Sequence, residues 1–534
     1  MARRRGLLAI ILVFVAIVAT HLDAVPIWDA KNYWICVQAA VHAPFNPLNF
    51  RCNGHPNIVY MGFLGVTQYV WPWNLSVVYI VNALLGAASI AAFDALLRVL
   101  FPNRRDAEYT LLTACYAFAP LFVAHAVFIN LDYAVTALFV LFLWSLVARR
   151  GWLAAAFAIA ALLTKETGAA ACAIAALAFV VAFIFRPGVS WRQRIAMLRP
   201  YAPLVCVPIA LGAYVLAVAL FRDEGRGFAG LYAPTHIVAD PADVMVLNTN
   251  LADPSIRAFL VDIFILNWQW LYTVVVIAAL CAALIRVERP VEGADEPPRR
   301  GLFIALSLVL LVYVVTRFRF TNGARYVLLA SPFLILAFYH ALLSLTTRAV
   351  VRAIYLATCA VLVFLSNFRT IDILSRSIFG TFPFGSHRML DMTSLAGGLR
   401  LDSIVYNLEF LNLQYLYGDA VRDVRPPAGS VVLMGNAIFN FPHDVDGRDY
   451  TLTANPAHAL PFFVAIGDVK RDVIGSHIRR EGDPFYYVAF ANAHNEGLDD
   501  LMRDYPLVGQ KQYERHGYTL DVYTFRFSFK ASGT

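Results

Sequence analysis

The ionisable side chains at the edges of apolar runs are the residues of this sequence best suited to chemistry. They are Asp29, Lys31, His55, Asp132, Lys165, Glu166, Arg317, Arg319 and Arg325, the last followed by Tyr326. Two or three cations suit a phosphate, because arginine offers a forked donor and lysine a compact point charge. A carboxylate such as Asp29 can take the proton from an attacking hydroxyl as general base. A phosphate leaving group needs charge neutralisation more than an acid. These residue types therefore indicate displacement of a lipid phosphate from an activated sugar at a membrane surface.

The composition is that of an integral membrane protein. The chain has 534 residues, of which 60% are hydrophobic and 15% charged, with a mean hydropathy of +0.62. A soluble domain would carry about 25% charged residues. The net charge of +7 resides in short basic clusters between apolar runs, as membrane orientation requires. No nucleic-acid partner is therefore expected.

Eleven apolar segments predict eleven membrane-spanning helices, because a span needs about 20 apolar residues. The segments are 6–22, 76–100, 109–126, 132–148, 152–164, 168–185, 201–221, 258–285, 302–317, 326–345 and 351–368. Arg3, Arg4 and Arg5 precede the first segment and predict a cytoplasmic N-terminus. The alternative for this first segment is a cleaved signal peptide, because its short core ends in small residues near Ala19.

Counting from a cytoplasmic N-terminus, every connection expected on the inner side carries arginines, whereas residues 126–131 on the outer side contain no lysine or arginine. All the ionisable residues named at the outset then fall at the outer membrane edge. Ionisable groups at membrane depth are expensive and indicate function by default. The location of all these ionisable residues on one side of the membrane is the strongest functional signal in the sequence.

The last 165 residues differ from the rest, since charged residues return and apolar runs shorten to strand length. Strand-like runs at 430–434, 485–490 and 520–525 and a helix-like piece at 496–504 predict an α/β domain over 370–534. The predicted membrane domain is 1–369, with an outer loop at 23–75. Cys36 and Cys52 share that loop and can pair as a disulfide if it faces an oxidising compartment.

Four features of the sequence resemble the GT-C membrane glycosyltransferases. They are Asp29 and the later His55-Pro56 in the first outer loop, Asp132 at the outer start of span four, and the run Leu163-Thr-Lys-Glu166. Within that family the sequence resembles the protein O-mannosyltransferases and the aminoarabinose (lipid A) transferases. This resemblance covers roughly residues 1–345. It implies a polytopic helical fold, a polyprenyl-phosphate monosaccharide donor and transfer with inversion to a hydroxyl of a lipid, glycan or protein acceptor.

By the same resemblance Asp29 is the catalytic base, and Lys165 with Arg325 binds the donor phosphate. Asp29 is followed by Ala30, where family members often carry a second acid. No complete metal-ligand set is visible, and a divalent cation held by His55 or Glu166 stays an open alternative. The frequent alanine and arginine are typical of a high-GC bacterium. The predicted location is therefore the bacterial inner membrane, with the C-terminal domain in the periplasm.

Each residue also has a structural alternative. Asp29 and Asp132 suit helix caps, Lys165 and Glu166 an interfacial turn with snorkelling side chains, His55 an ordinary loop, and the arginines lipid anchors. The competing functions are a polyprenyl-lipid transporter or flippase and a surface-polysaccharide ligase or polymerase. A transporter would place its polar site near the bilayer midplane.

Overall fold

A computed structural model describes residues 2–22, 58–72, 74–184, 190–220, 263–285, 300–317, 324–368, 481–490, 498–515 and 518–528, with short pieces at 30, 33–34, 37, 41, 260–261, 374, 377, 383–384, 387–388, 416, 419–420, 423–425, 431–434 and 462–465. Asp29, Lys31, Cys36, Cys52, His55 and Arg319 lie outside the described residues, as does the side chain of Arg317. The chain divides into two compact units, Met1–Ala24 with Asn32–Asn407 and Val25–Lys31 with Leu408–Thr534. The domain boundary predicted at 369/370 stays a prediction.

The first unit is built of apolar helices. In chain order they are α1 (Ala2–Ala19), α2 (Ile58–Val70), α3 (Leu75–Leu100), α4 (Asp106–Ala117), α5 (Pro120–Ala126), α6 (Leu131–Val147), α7 (Gly151–Leu162), α8 (Glu166–Ile184), α9 (Trp191–Leu198), α10 (Cys206–Leu220), α11 (Gln269–Ile285), α12 (Arg300–Arg317), α13 (Ser331–Leu345) and α14 (Ala349–Ser366). Two 3₁₀ segments, Arg199–Val205 and Ala324–Leu329, precede α10 and α13. Two short antiparallel strands of two residues each follow, β1 (Pro383–Phe384) and β2 (His387–Arg388).

Each of the eleven predicted spans contains a helix. Among the described residues, four helical segments are long and apolar enough to cross a membrane, or five if one bent pair counts as a span. Seven further apolar helices have 10–17 residues, shorter than the roughly 20 residues that a straight span needs. The chain is thus a helical protein with membrane-spanning segments, and the number eleven stays a prediction.

The segment predicted as one span over 109–126 is two helices. Helices α4 and α5 meet at an angle of 58°. Pro120 begins α5, and a proline disfavours helical backbone at the residue before it. The side-chain amide of Asn367 donates to the carbonyl oxygen of Phe118 at 2.8 Å and so satisfies a group that the break would leave unpaired.

Helix α2 lies inside the region that the sequence predicts as the polar loop 23–75. It buries Tyr60, Met61, Leu64, Gly65 and Gln68, while Phe63, Val66 and Tyr69 are exposed on its other side. Its 13 residues are too few for a straight span, which is why counting spans overlooked it. The end of the predicted loop is therefore a packed helix.

Helix α3 contacts α1, α4 and α6. Gly86 in α3 permits a close approach to α1 and α6. A Cβ atom at this position would lie 2.3 Å from the hydroxyl oxygen of Tyr133 and 2.6 Å from the ring of Phe14. Both rings are fully buried.

We expect Gly86→Ala to destabilise the protein by about 1–3 kcal/mol, the usual cost of overpacking a core. Gly212→Ala on α10 is the matched control, because no atom lies within 4 Å of the added Cβ and alanine favours a helix by about 1 kcal/mol. Thermal unfolding of the detergent-solubilised protein, followed by tryptophan fluorescence, makes the comparison. A Gly86→Ala protein that melts at or above the Gly212→Ala protein contradicts the packing argument.

A buried ion pair between Glu108 and Arg352, with Tyr339, joins α4, α13 and α14. The guanidinium of Arg352 donates to both carboxylate oxygens of Glu108, at 2.9 and 3.0 Å, and the hydroxyl of Tyr339 donates to the same carboxylate at 2.6 Å. Arg352 also donates to the carbonyl oxygens of Thr346 and Thr347. The carboxylate is therefore fully hydrogen-bonded, as a buried charge requires.

The second unit contains a five-stranded mixed sheet. Its strands are β3 (Val431–Met434), β4 (Phe462–Ala465), β5 (Pro484–Phe490), β6 (Leu507–Arg515) and β7 (Tyr518–Arg526), in the order β4-β3-β5-β7-β6. The β3 strand is parallel to β4 and β5, while β7 is antiparallel to β5 and β6. Helix α15 (Leu498–Asp504) contributes Leu501 to a core with Leu433, Phe485 and Phe525. Strands β3, β5, β7 and helix α15 coincide with the predicted elements.

Candidate functional site

The start of helix α6 fixes the position of Asp132. Asn130 is the N-cap residue, and its side-chain oxygen accepts the backbone N–H of Asp132 at 2.7 Å. Asparagine is among the residues that best satisfy the free N–H groups at a helix start. The N-cap role considered for Asp132 is therefore wrong. Asp132 lies in the first turn instead, where the helix dipole favours a carboxylate.

A tight turn between α7 and α8 positions Lys165. The backbone N–H of Lys165 donates to the carbonyl oxygen of Ala161 at 3.0 Å. A Cβ atom at Gly168 would lie 2.6 Å from that same carbonyl oxygen, so the close approach of the two helices requires glycine here. The turn leaves Lys165 only 3% exposed. A snorkelling lysine at the surface, the structural alternative, is therefore wrong.

Asp132 and Lys165 form a buried ion pair across 33 positions of sequence. The ammonium nitrogen of Lys165 lies 2.7 Å from one carboxylate oxygen of Asp132, and the two side chains are 4% and 5% exposed. The Nε atom of Arg325 lies 3.6 Å from the other carboxylate oxygen, and its side chain is 25% exposed. Arg325 is thus the cation of this group with the most open surface.

Tyr326 completes the group, which is called the Asp132 cluster: Asp132, Lys165, Arg325 and Tyr326. The centroid of its ring lies 4.8 Å from the Lys165 ammonium and 5.3 Å from the Arg325 guanidinium carbon. These distances are those of cation–π contacts. Arg325 and Tyr326 both belong to the 3₁₀ segment Ala324–Leu329, which packs against α6.

The electrostatics of the cluster favour an anionic ligand. Burial alone would lower the pKa of Lys165, but the charge of Asp132 and the nearby Tyr326 raise it above its ordinary value. Lys165 is therefore charged at neutral pH. Two cations face one carboxylate, which leaves one formal positive charge in the cluster.

An apolar groove begins at Tyr326. It is lined by side chains of α8, of α12 and of the 3₁₀ segment. Its members include Thr167, two residues after Lys165, and Ile174, Leu311 and Val315 further along the helices. Tyr326 lines the groove and also contacts both cations. A charged group and an apolar groove are therefore adjacent.

The structure brings together four of the ten residues predicted for the site, namely Asp132, Lys165, Arg325 and Tyr326. Glu166 begins α8 and is exposed. Arg317 ends α12, and its side chain lies outside the described residues together with Asp29, Lys31, His55 and Arg319. Among the described residues, no three histidine, cysteine, aspartate or glutamate side chains lie close enough together to hold a metal ion.

Sequence reasoning missed a buried polar pair beside the cluster. Asn82 in α3 is fully buried, and its side-chain oxygen accepts the hydroxyl of Tyr60 in α2 at 2.7 Å. Its side-chain nitrogen donates to the carbonyl oxygens of Ala126 and Phe128. An amide in the middle of an apolar segment was the available signal, since polar groups inside spans are rare and need partners.

Helix α2 is also attached to the Lys165 turn. The backbone N–H groups of Ile58 and Val59 donate to the carbonyl oxygen of Leu163, at 2.7 and 3.3 Å. Both donors lie at the start of a helix, where N–H groups lack partners within the helix.

The fold of the chain is similar to that of ArnT, in agreement with the resemblance that the sequence motifs indicate. It aligns with the crystal structure of ArnT from Cupriavidus metallidurans bound to undecaprenyl phosphate, with a TM-score of 0.51 and 14% identity over 99% of both chains. The apo crystal structure of that protein gives a TM-score of 0.53 and 13% identity over 100% of both chains. The arabinofuranosyltransferase AftD from Mycobacteria, solved by cryo-electron microscopy, gives a TM-score of 0.45 and 15% identity over 98% of this chain and 40% of AftD.

No protein-family profile and no curated protein sequence matches the chain. At identities of 13–14% the likeness to ArnT is one of fold.

Proposed function

We propose that this chain is an inverting glycosyltransferase that moves a monosaccharide from a polyprenyl-phosphate donor to a hydroxyl of a cell-envelope acceptor. The acceptor is a lipid such as lipid A, a glycan or a protein. The reaction takes place on the periplasmic face of a bacterial inner membrane, and the C-terminal domain lies in the periplasm.

The observation that carries the proposal is the adjacency of the Asp132 cluster and the apolar groove. A polyprenyl phosphate is a phosphate joined to a long isoprenoid chain, and it needs a cationic site continuous with an apolar one. Tyr326 belongs to both sites. Arg325 offers a partly exposed fork of donors that suits phosphate oxygens. The fold shared with ArnT, which has been crystallised with undecaprenyl phosphate, supports the same ligand class.

In the proposed reaction Asp29 is the general base. Its carboxylate takes the proton of the acceptor hydroxyl as that oxygen attacks the anomeric carbon of the sugar. The bond from the anomeric carbon to the phosphate oxygen breaks, and the polyprenyl phosphate leaves with its electron pair. Lys165 and Arg325 stabilise the charge that develops on this phosphate. Lys31, His55, Glu166, Arg317 and Arg319 are the proposed contacts to the sugar and the acceptor.

Binding of undecaprenyl phosphate to the purified protein tests the proposal. We expect native mass spectrometry to show retention of undecaprenyl phosphate and weaker retention of undecaprenol, which has the same tail without the phosphate. Arg325→Ala should weaken binding of the phosphate lipid by about tenfold to a hundredfold, the value of a hydrogen bond to a charged group. It should leave binding of undecaprenol unchanged.

Arg348→Ala is the matched control for this experiment, because Arg348 is an exposed arginine at the N-cap of α14. Its removal should leave both affinities unchanged. Equal retention of undecaprenyl phosphate and undecaprenol by the wild-type protein would contradict a phosphate site, and a loss with Arg348→Ala equal to that with Arg325→Ala would show a general charge effect.

A polyprenyl-lipid transporter or flippase is the second candidate, because the bent pair α4–α5 resembles the broken helices of transporters. In a transporter the freed backbone groups at such a break face the cargo. Here the side-chain amide of Asn367 donates to the carbonyl oxygen of Phe118 at the break, which favours the enzyme. A surface-polysaccharide ligase or polymerase needs the same phosphate site, and an oligosaccharide-lipid donor would distinguish it.

A further inference from the structure

The side-chain amide and the backbone carbonyl oxygen of Asn82 all form hydrogen bonds to other helices or connections. Its side-chain oxygen accepts from Tyr60, and its side-chain nitrogen donates to the carbonyl oxygen of Ala126 at 3.1 Å and that of Phe128 at 2.8 Å. Its own carbonyl oxygen accepts the hydroxyl of Tyr133 at 2.8 Å. Each of the three side chains, Asn82, Tyr60 and Tyr133, is buried. The bonds therefore form in a medium where leaving any of these groups unpaired is costly.

These bonds converge on the connection between α5 and α6. Helix α5 ends at Ala126 and helix α6 begins at Leu131, so the last carbonyl groups of α5 have no helical partner. Asn82 supplies that partner and fixes the path of the chain up to Phe128. The N-cap residue Asn130 follows two positions later, and its amide nitrogen lies 3.1 Å from the Nδ1 atom of His125. The connection is thus bonded to α3 at one end and to α5 at the other.

The same residue constrains the chain on the far side of Asp132. Tyr133 follows Asp132 directly, and its hydroxyl reaches the Asn82 carbonyl oxygen by passing over Gly86. Asp132 therefore lies between two segments that Asn82 holds, Ala126–Phe128 before it and Tyr133 after it. The 2.7 Å contact of Asp132 with Lys165 and its 3.6 Å contact with Arg325 depend on that placement.

We infer that Asn82 is a positioning residue for the Asp132 cluster, supported by the Tyr60 hydroxyl. Its hydrogen-bond partners are Tyr60, Ala126, Phe128 and Tyr133, and it acts by holding the α5–α6 connection that carries Asp132. Its consequence for donor binding rests on the proposed function, whereas its effect on the connection does not.

Hydrogen–deuterium exchange tests the effect on the connection without any ligand. We expect Asn82→Ala to speed exchange in a peptide spanning 127–133 by about tenfold, because its local opening becomes easier. Tyr60→Phe, a milder change that keeps the ring, should give a smaller increase of the same kind. Tyr116→Phe is the matched control, since the Tyr116 hydroxyl is likewise buried and bonded at 2.7 Å to a side chain of α3, that of Ser89. It should leave this peptide unchanged.

A double-mutant cycle with undecaprenyl phosphate tests the link to the cluster. We expect Asn82→Ala to weaken binding about tenfold in the wild-type background and by less than about twofold in an Asp132→Asn background, since residues acting through one another are not additive. Tyr60→Phe replaces Asn82→Ala in the cycle if the alanine variant does not fold.

Two results would overturn the inference: unchanged exchange at 127–133 in both the Asn82→Ala and Tyr60→Phe proteins, or equal weakening of binding in the two backgrounds. A wild-type protein that does not bind undecaprenyl phosphate would refute the proposed function alone. The exchange measurement would then still decide whether Asn82 holds the connection.

Discussion

Lys165→Ala is expected to abolish binding of undecaprenyl phosphate and to destabilise the protein by about 3–5 kcal/mol, the usual result of removing one partner of a buried ion pair. Asp132 would keep a buried negative charge, with the Nε atom of Arg325 at 3.6 Å. Arg325 would then be drawn to the carboxylate and less able to bind phosphate. Native mass spectrometry and thermal unfolding of the same preparation measure the two effects together.

The double variant Asp132→Leu/Lys165→Met separates stability from binding. Replacing both charges by apolar side chains of similar size is often neutral or stabilising, so the unfolding temperature should recover while phosphate binding does not. Lys511→Ala serves as the control for removing a lysine, because Lys511 is 59% exposed and pairs with Asp423 at the surface. Such pairs contribute little. Binding by the double variant at wild-type strength would show that the Lys165 charge has no part in the phosphate site.

Asp29→Asn is expected to reduce sugar transfer by about 10²–10⁴-fold, the usual contribution of a general base, with unfolding temperature and undecaprenyl phosphate binding unchanged. Asparagine has the same shape as aspartate but cannot accept a proton from the acceptor hydroxyl. The measurement is release of undecaprenyl phosphate from a panel of undecaprenyl-phosphate monosaccharides incubated with membranes that contain the protein.

Asp23→Asn is the matched control, because Asp23 and Asp29 are the two carboxylates of the predicted loop 23–75. It should retain full activity. Retention of more than about a tenth of the rate by Asp29→Asn would remove Asp29 from the role of base, and the exposed Glu166 would be tested next.

The composition of the Asp132 cluster was predictable because it depends on residue type and on side of the membrane. Counting basic connections puts Asp132, Lys165 and Arg325 at one membrane edge, and the structure brings them together with Tyr326. The ion pair itself was not predictable. It joins residues 33 positions apart through the packing of α6 against α7 and α8, and no local pattern encodes that distance.

Helix α2, the α4–α5 break and the role of Asn82 were missed because the sequence was searched for apolar segments of about 20 residues. Helix α2 has 13 residues and so falls below the threshold for a span. The break between α4 and α5 had a visible signal in Pro120, but the apolar character of the segment continues across it. Asn82 is the one amide side chain among the 26 residues of α3, and its role depends on partners in α2, α5 and α6.

In the second unit, the predicted strands coincide with β3, β5 and β7, whereas β4 and β6 were not predicted. Strands β5 and β7 carry buried aromatic residues such as Phe485 and Phe525. Strand β6 is the edge of the sheet, with exposed Leu507 and Val508 followed by charged and polar residues. Edge strands of this composition avoid pairing with other chains, and for the same reason they lack the alternating pattern of a half-buried strand.

The attachment of α2 to Leu163 uses backbone atoms only, through the N–H groups of Ile58 and Val59. Such a bond places no requirement on the side chains that precede it. Insertions and substitutions upstream of Ile58 can therefore accumulate without displacing the turn that carries Lys165. In the proposed transferase, changes at the proposed acceptor contacts Lys31 and His55 would therefore alter the acceptor and leave the lysine turn, which is proposed to bind the donor phosphate, in place.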